Sequence, residues 1–257
     1  MIPTLVFDIE TVPDVAGIRR VHDVSNELDD ASVLDWFVQQ RRAQSGSDFL
    51  PPVFQRVVAI ACVLRDETLR VWSLGDAADP EEELLRRFCD GIERKVPQLV
   101  SWNGSGFDLP VIQHRCMIHG VCASKYWDWG DDDKEFRYNN YLNRYHSRHI
   151  DMMDVLAMYQ PRAYTGLDAM ARLCGFPGKI GMSGANVHAA VQAGRIDDVR
   201  RYCEMDAMNT YLLYLRFQQI RGTLAAGEFS SEVSLAREKL AASAAPHWRE
   251  FLDAWAA

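Results

Sequence analysis

Apolar positions along this chain form short runs that predict buried strands, and longer amphipathic stretches that predict helices. The predicted strands cover residues 4–11, 56–64 and 68–74 and a short run that begins at Leu99. The predicted helices cover residues 30–42, 80–95, 109–118 and 152–159, a late stretch around 197–206, and two tail segments separated at Pro246. Because strands and helices alternate, the pattern predicts an α/β domain with helices on a mixed sheet.

Two carboxylates, Asp8 and Glu10, end the apolar run of the first predicted strand. Side chains two positions apart on a strand share one face, about 6 to 7 Å apart along the chain. Both anions would then face one point with little water around them, and they would repel each other there. A bound cation would offset this repulsion. Strand ends also carry acids as caps or as surface charge, so this pair alone is a weak signal.

Further carboxylates occupy positions that can converge with the first two. Asp108 follows a predicted strand and a glycine-containing turn, and it opens a helix. Tyr202 and Asp206 are spaced i, i+4 on the late helix and share its face. Taken singly, Asp108 could be a helix cap, and the Tyr202 and Asp206 pair could lie on a solvated helix face. Together, four carboxylates and a phenol suit two hard divalent cations, Mg²⁺ or Mn²⁺, which prefer oxygen ligands.

In order and spacing, these motifs resemble those of the DEDD superfamily of 3'-5' exonucleases, in its tyrosine-bearing branch on a ribonuclease H-like fold. The motifs are Asp8-Ile9-Glu10-Thr11, Asn103 to Phe107-Asp108, and Tyr202-Cys203-Glu204-Met205-Asp206. More narrowly, the chain resembles stand-alone bacterial proteins related to the proofreading domain of family B DNA polymerases. A glycine-rich stretch carries this closer likeness, at residues 175–179 and 181–184, followed by Val187. The resemblance spans about residues 3–222.

The resemblance implies a role for each of the five motif residues. Asp8, Glu10 and Asp206 would hold the first cation, and Asp8 would be shared with a second, which Asp108 reaches through water. Tyr202 would orient the attacking water, since a phenol of pKa about 10 stays protonated at neutral pH. The products would be nucleoside 5'-monophosphates released from a 3' end. Residues beside the acids would contact substrate: Thr11, Asn103 and Phe107.

An insertion at residues 124–149 interleaves aromatic and cationic side chains outside the three motifs. Aromatic rings stack on bases while cations follow phosphates, so the segment is predicted to guide a single strand, with Tyr138, Tyr141 and Arg144 as contacts. The alternative is a long loop that packs its own aromatics into a satellite core, with residues 131–133 at a solvated tip. Lys179, in the glycine-rich stretch, could reach a substrate phosphate, but a solvated lysine is the expected outcome.

Composition limits this interpretation without overturning it. The 257 residues are predicted to form an exonuclease domain over 1–222 and a helical extension over 223–257 that packs on it, or docks another protein or a second copy. The net charge of −8 is unexpected for a protein that grips nucleic acid with a broad basic surface. Substrate capture should therefore be local and salt-sensitive, aided by a partner that delivers the strand.

Cysteine usage and the start of the chain bear on the compartment. The six cysteines form no C-x-x-C pair, which argues against structural disulfides and zinc. The first strand begins without a charged or apolar leader, and no run of about 18 apolar residues occurs, so a cytoplasmic protein is expected.

These observations predict a two-metal 3'-5' exonuclease acting on single-stranded DNA. The preference for DNA follows from the resemblance. A 3'-5' exoribonuclease is the closest rival, because the same acids serve ribonucleases. A non-catalytic module that binds nucleic acid or a polymerase is the alternative of another class, although such a module has no need for four converging acids.

Overall fold

The computed structural model describes residues 2–256 and is built on a five-stranded mixed sheet with strand order β3-β2-β1-β4-β5. The strands are β1 (Thr4–Pro13), β2 (Gln55–Arg65), β3 (Leu69–Ser73), β4 (Gln98–Ser101) and β5 (His149–Asp151). Strands β1, β2 and β3 pair antiparallel, while β4 runs parallel to both β1 and β5. This mixed sheet confirms the predicted α/β class.

Helices cover both faces of the sheet. Their bounds are α1 (Val15–His22), α2 (Asp30–Ser45), α3 (Glu81–Lys95), α4 (Asp108–His119), α5 (Met152–Leu156), α6 (Leu167–Leu173), α7 (Gly184–Gln192), α8 (Ile196–Ile220), α9 (Ala226–Ala241) and α10 (Pro246–Ala256). Helix α1 was not predicted, because its apolar residues belong to a small separate cluster rather than to an amphipathic face on the sheet. None of the helices described between residues 2 and 256 has the length and apolar character needed to cross a membrane.

The alternation of β1 divides the core between the two faces of the sheet. Leu5, Phe7 and Ile9 pack with α3 and α4 on one face. Val6 packs on the other face, which α8 covers. Asp8 and Glu10 follow Val6 at strand spacing and therefore point toward α8. The same periodicity that builds the core thus delivers two carboxylates to the longest helix.

A buried ion network ties the α1–α2 segment to the sheet. The Arg115 guanidinium on α4 donates to Glu81 at 2.8 Å and to Asp14, the N-cap of α1, at 2.5 Å. Glu81 also accepts the backbone N–H of Val57 on β2 at 2.6 Å. One guanidinium therefore holds together α1, α3 and α4.

The two tail helices pack on the core that α8 shares with the sheet. Phe229 and Leu240 of α9 and Trp248 and Phe251 of α10 are buried there. Helices α9 and α10 thus share a core with the rest of the described chain. Docking of the extension over 223–257 to another protein or to a second copy stays a prediction.

Candidate active site

Three acids meet on the face of β1 that lies under α8. One carboxylate oxygen from each of Asp8, Glu10 and Asp206 lies within 4.8 Å of the others. The strand supplies the first two at i, i+2, and the helix lies across the same face of the sheet and supplies the third. Glu10 and Asp206 are buried, while Asp8 is partly exposed. Three anions so close together and so poorly solvated form a strong potential site for a cation.

Asp108, the first residue of α4, lies beside this cluster rather than within it. Its Oδ1 accepts the backbone N–H of Ile9 at 3.2 Å, which joins the start of α4 to β1 between the two acids of the strand. Its charge is one of those that raise the pKa of Asp8, so the two carboxylates interact. The structure therefore brings all four predicted acids into one neighbourhood.

The protonation of these acids is strongly perturbed. Burial, followed by repulsion from Asp206, raises the pKa of Glu10 to about 8. Burial likewise raises the pKa of Asp108 to about 7. The pKa of Asp8 is raised well above its usual value by loss of solvent and then by repulsion from its acidic neighbours. All three shifts show that full ionisation is costly without a bound cation.

Lys179 is part of this site, contrary to the expectation of a solvated side chain. Its Nζ donates to Asp206 Oδ2 and, at 2.6 Å, to the phenol oxygen of Tyr202, whose ring it also covers at 4.9 Å. Burial alone would lower the pKa of Lys179, but attraction to Asp206 and Asp8 outweighs it and holds the pKa above its usual range. The ammonium therefore supplies positive charge to the acidic cluster.

The loop before α7 brings Lys179 to the acids through contacts with α8. Asn209 accepts the N–H of Gly178 at 3.1 Å and donates to its carbonyl at 2.8 Å. Gly178 has a φ of +74°, and a Cβ there would lie 2.5 Å from Asp168 Oδ1, so only glycine fits. Asp168 also accepts the N–H of Lys179 at 2.7 Å. In the sequence, the glycine that directly precedes Lys179 is the feature that could have indicated this position for the lysine.

The donor set suits a hard divalent cation. Asp206 Oδ1 is buried and has no hydrogen-bond partner among residues 2–256, although Oδ2 of the same carboxylate is paired with Lys179. A buried, unpaired carboxylate oxygen beside Asp8 and Glu10 leaves an acceptor for a metal ion. Because these donors are carboxylate oxygens, Mg²⁺ and Mn²⁺ fit the site better than softer metals do.

The turn between β4 and α4 is held by a residue that sequence reasoning left out of the site. Asp151, at the end of β5, accepts the backbone N–H groups of Asn103 at 2.9 Å and Ser105 at 2.8 Å. Gly104 completes the turn, since a Cβ there would lie 2.2 Å from Ser101 Oγ. Asp151 thus positions the turn that leads to Asp108.

The motif residues predicted to contact substrate flank the acids. Thr11 donates its hydroxyl to Gln55 at 2.9 Å. The ring of Phe107, next to Asp108, packs on exposed Phe49 with centroids 5.5 Å apart. Asn103 occupies the turn with a φ of +66°. Their contact with substrate stays a prediction.

Residues of the insertion fall into two groups. Tyr141 is only 3% exposed, stacks on Tyr126 and donates its hydroxyl to the Pro97 carbonyl at 2.6 Å, so its predicted role in binding is corrected to packing. Tyr138 is 83% exposed, and Arg144 forms a 2.8 Å ion pair with Asp154. The insertion therefore does form a satellite core, while some of its aromatic and cationic side chains remain accessible.

Fold and site together define an α/β protein whose central strand carries part of an acidic cluster that could hold a divalent cation. Residues 47–255 match the family described as predicted 3'-5' exonucleases related to the exonuclease domain of PolB, and the chain belongs to this family. The matched segment contains Asp108, Lys179, Tyr202 and Asp206. Asp8 and Glu10 precede it, and the geometry alone joins them to the site.

Among solved structures, the family B DNA polymerase from the hyperthermophilic archaeon Pyrobaculum calidifontis is similar to this chain. The match has a TM-score of 0.51 and 16% sequence identity, and it covers 82% of this chain and 24% of the polymerase chain. The likeness shows the fold, which is ribonuclease H-like as in the exonuclease domain of such polymerases. A comparison with curated proteins finds no match.

Proposed function

We propose that this protein is a metal-dependent 3'-5' exonuclease that releases nucleoside 5'-monophosphates from the 3' ends of single-stranded DNA. The observation that carries the proposal is the convergence of Asp8, Glu10 and Asp206 within 4.8 Å, with a buried oxygen of Asp206 left unpaired. Family membership supports the same activity.

The four acids would hold two divalent cations. Asp8, Glu10 and Asp206 would bind one, and Asp8 and Asp108 would bind the other. When bound, such cations supply the positive charge that stabilises the attacking and leaving oxygens of a phosphoryl displacement. Their charge would also favour the ionised carboxylates of Glu10 and Asp108, whose pKa values are raised first of all by burial.

Tyr202 is suited to orient a water molecule rather than to remove its proton. Burial, with Asp206 adding to it, raises the pKa of this phenol above its usual range, so the hydroxyl stays protonated at neutral pH. Lys179 already donates to the phenol oxygen at 2.6 Å. Because Lys179 occupies an acceptor position of the phenol oxygen, the O–H of Tyr202 is the group that would donate to water or substrate.

A single-stranded end fits the surroundings of the acids better than a duplex does. Phe107 and Phe49 place two aromatic rings beside Asp108, where an unpaired base can stack. The net charge of −8 argues against a broad electrostatic grip on a double helix. The choice of DNA over RNA follows the relation to DNA polymerases, and RNA is the rival substrate.

Digestion of oligonucleotides labelled at the 5' end tests this proposal. Single-stranded DNA and RNA of the same sequence are incubated with Mg²⁺ or Mn²⁺ and wild-type protein, Asp8→Ala or Asp206→Ala. The control variant is Asp253→Ala, which removes an exposed acid of α10. The proposal expects a ladder that shortens from the 3' end with wild type and the control, and no ladder with the two site variants.

The other outcomes separate the alternatives. Faster digestion of RNA than of DNA would favour the exoribonuclease. Binding of both polymers without cleavage under either metal, by folded protein, would favour the non-catalytic module.

A further inference from the structure

A groove of about 560 Å³ lies between the insertion and the turn that carries Asp108. The turn and α4 form one wall, and the insertion and the segment before α6 form the other. Its lining includes Asn103, Gly106, Leu109, Gln113, Trp127 and Tyr164. Ligand sites for small molecules have volumes of about 300 to 1,000 Å³, so the groove is large enough for one nucleotide.

Trp127 presents a fixed aromatic surface in this groove. Its indole N–H donates to Gln113 Oε1 at 2.9 Å, and its ring packs edge-on against Tyr126 with centroids 5.4 Å apart. The side chain nevertheless remains 48% exposed. An indole held by a hydrogen bond, with about half its surface in water, has a face available for stacking.

The charges lining the groove cancel each other. Arg144 and Asp154 are the ionic side chains among its lining residues, and they pair at 2.8 Å. Buried Asp154 also accepts the hydroxyl of Tyr164 at 2.5 Å. With its carboxylate paired to the guanidinium, the groove suits a flat, neutral aromatic ring better than a phosphate.

We propose that this groove binds an unpaired nucleobase of the substrate strand, upstream of the nucleotide that is removed, with Trp127 as the stacking surface. The inference rests on the proposed function. The turn from Asn103 to Phe107 forms a wall of the groove and leads directly to Asp108, so a strand that reaches the acids passes beside it. Because every base has an aromatic face, such a pocket strengthens binding without reading sequence.

The test measures binding separately from cleavage. Anisotropy of 5'-fluorescein dT12 is recorded with Ca²⁺ in place of Mg²⁺, after confirming that the oligonucleotide stays intact, and a single abasic site is moved stepwise from its 3' end. The variants are Trp127→Ala and Trp127→Phe. The matched control is Trp129→Ala, which removes an exposed tryptophan of the same insertion that does not line the groove.

We expect Trp127→Ala to weaken binding about 10-fold, Trp127→Phe to retain most of the affinity, and Trp129→Ala to match wild type. One abasic position should weaken wild-type binding by a similar factor and have no further effect on Trp127→Ala. This loss of dependence would show that the base and the indole interact.

Equal losses for Trp127→Ala and Trp129→Ala, or an abasic scan that is flat in wild type, would overturn the inference. Because the scan uses wild type, a flat result overturns the inference even if Trp127→Ala misfolds, and Trp127→Phe, which keeps an aromatic ring, then replaces it in the comparison with Trp129→Ala. Wild type that binds with the expected abasic dependence but never cleaves with Mg²⁺ or Mn²⁺ would support the pocket and contradict the exonuclease. Cleavage by a wild type whose abasic scan is flat would support the exonuclease and contradict the pocket.

Discussion

Replacing Lys179 with methionine should destabilise the metal-free protein much more than the metal-bound protein. The Lys179 ammonium pairs with Asp206, which is 1% exposed and whose other oxygen has no partner in the described chain. Removing one partner of a buried ion pair costs about 3–5 kcal/mol, and the 35% exposure of Lys179 favours the lower end, about 3 kcal/mol. For a chain of this size the loss corresponds to about 6–12 °C in Tm.

Saturating Mn²⁺ should reduce the loss to about 1 kcal/mol or less, because a divalent cation supplies the charge that Asp206 then lacks. Thermal unfolding of wild type and Lys179→Met, each in EDTA and in Mn²⁺, measures this coupling. Lys239→Met, which changes an exposed lysine on α9, controls for the substitution itself. Equal Tm losses with and without metal, or no loss in EDTA, would show that Lys179 does not balance the charge of Asp206.

Three further predictions concern catalysis and stability. Tyr202→Phe should lower kcat about 100-fold with KM nearly unchanged, because the orienting hydroxyl is lost, and should cost about 1.5 kcal/mol of stability, because Lys179 loses a hydrogen-bond acceptor; steady-state kinetics on a labelled oligonucleotide and thermal unfolding measure this. Burial lowers the pKa of His149 to about 4, so the unfolded chain binds a proton there more readily than the folded protein does. The resulting contribution to stability is fully present above pH 6.5 and is lost as the pH falls toward 4. Between pH 7 and pH 5, the free energy of unfolding measured in urea should therefore fall by about 2 kcal/mol more for wild type than for His149→Asn. Arg115→Met should cost about 3–5 kcal/mol in the same assay by taking the guanidinium away from buried Glu81 and from Asp14, whereas Arg42→Met, at an exposed surface pair, should leave the free energy of unfolding nearly unchanged.

Local periodicity accounts for the parts of the site that could be predicted from sequence. Asp8 and Glu10 face the same way because a strand repeats every two residues. Tyr202 and Asp206 do so because a helix places i and i+4 on one face. The strand and the helix then meet because each has an apolar side that must be covered, which gives the sheet its α8 layer.

The position of Lys179 beside the acids was not predicted, because it depends on a contact between segments that are distant in the sequence. The loop reaches the acids only when Gly178 pairs with Asn209, which lies 31 residues further along the chain. Tyr141 was misassigned for a related reason. Composition marks the insertion as aromatic, but only the stacking on Tyr126 and the hydrogen bond to Pro97 show which rings are buried.

We propose that Asp8, Glu10 and Asp206 form one metal-dependent centre that removes nucleotides from a 3' end. The most direct measurement is mass analysis of the first product released from single-stranded DNA with Mn²⁺, by wild type and by Asp206→Asn, whose fold is checked by its Tm in EDTA. We expect wild type to release the 3'-terminal residue as a nucleoside 5'-monophosphate, and folded Asp206→Asn to release none. Undiminished release by Asp206→Asn, or a first product from the 5' end or the interior of the strand, would contradict this proposal.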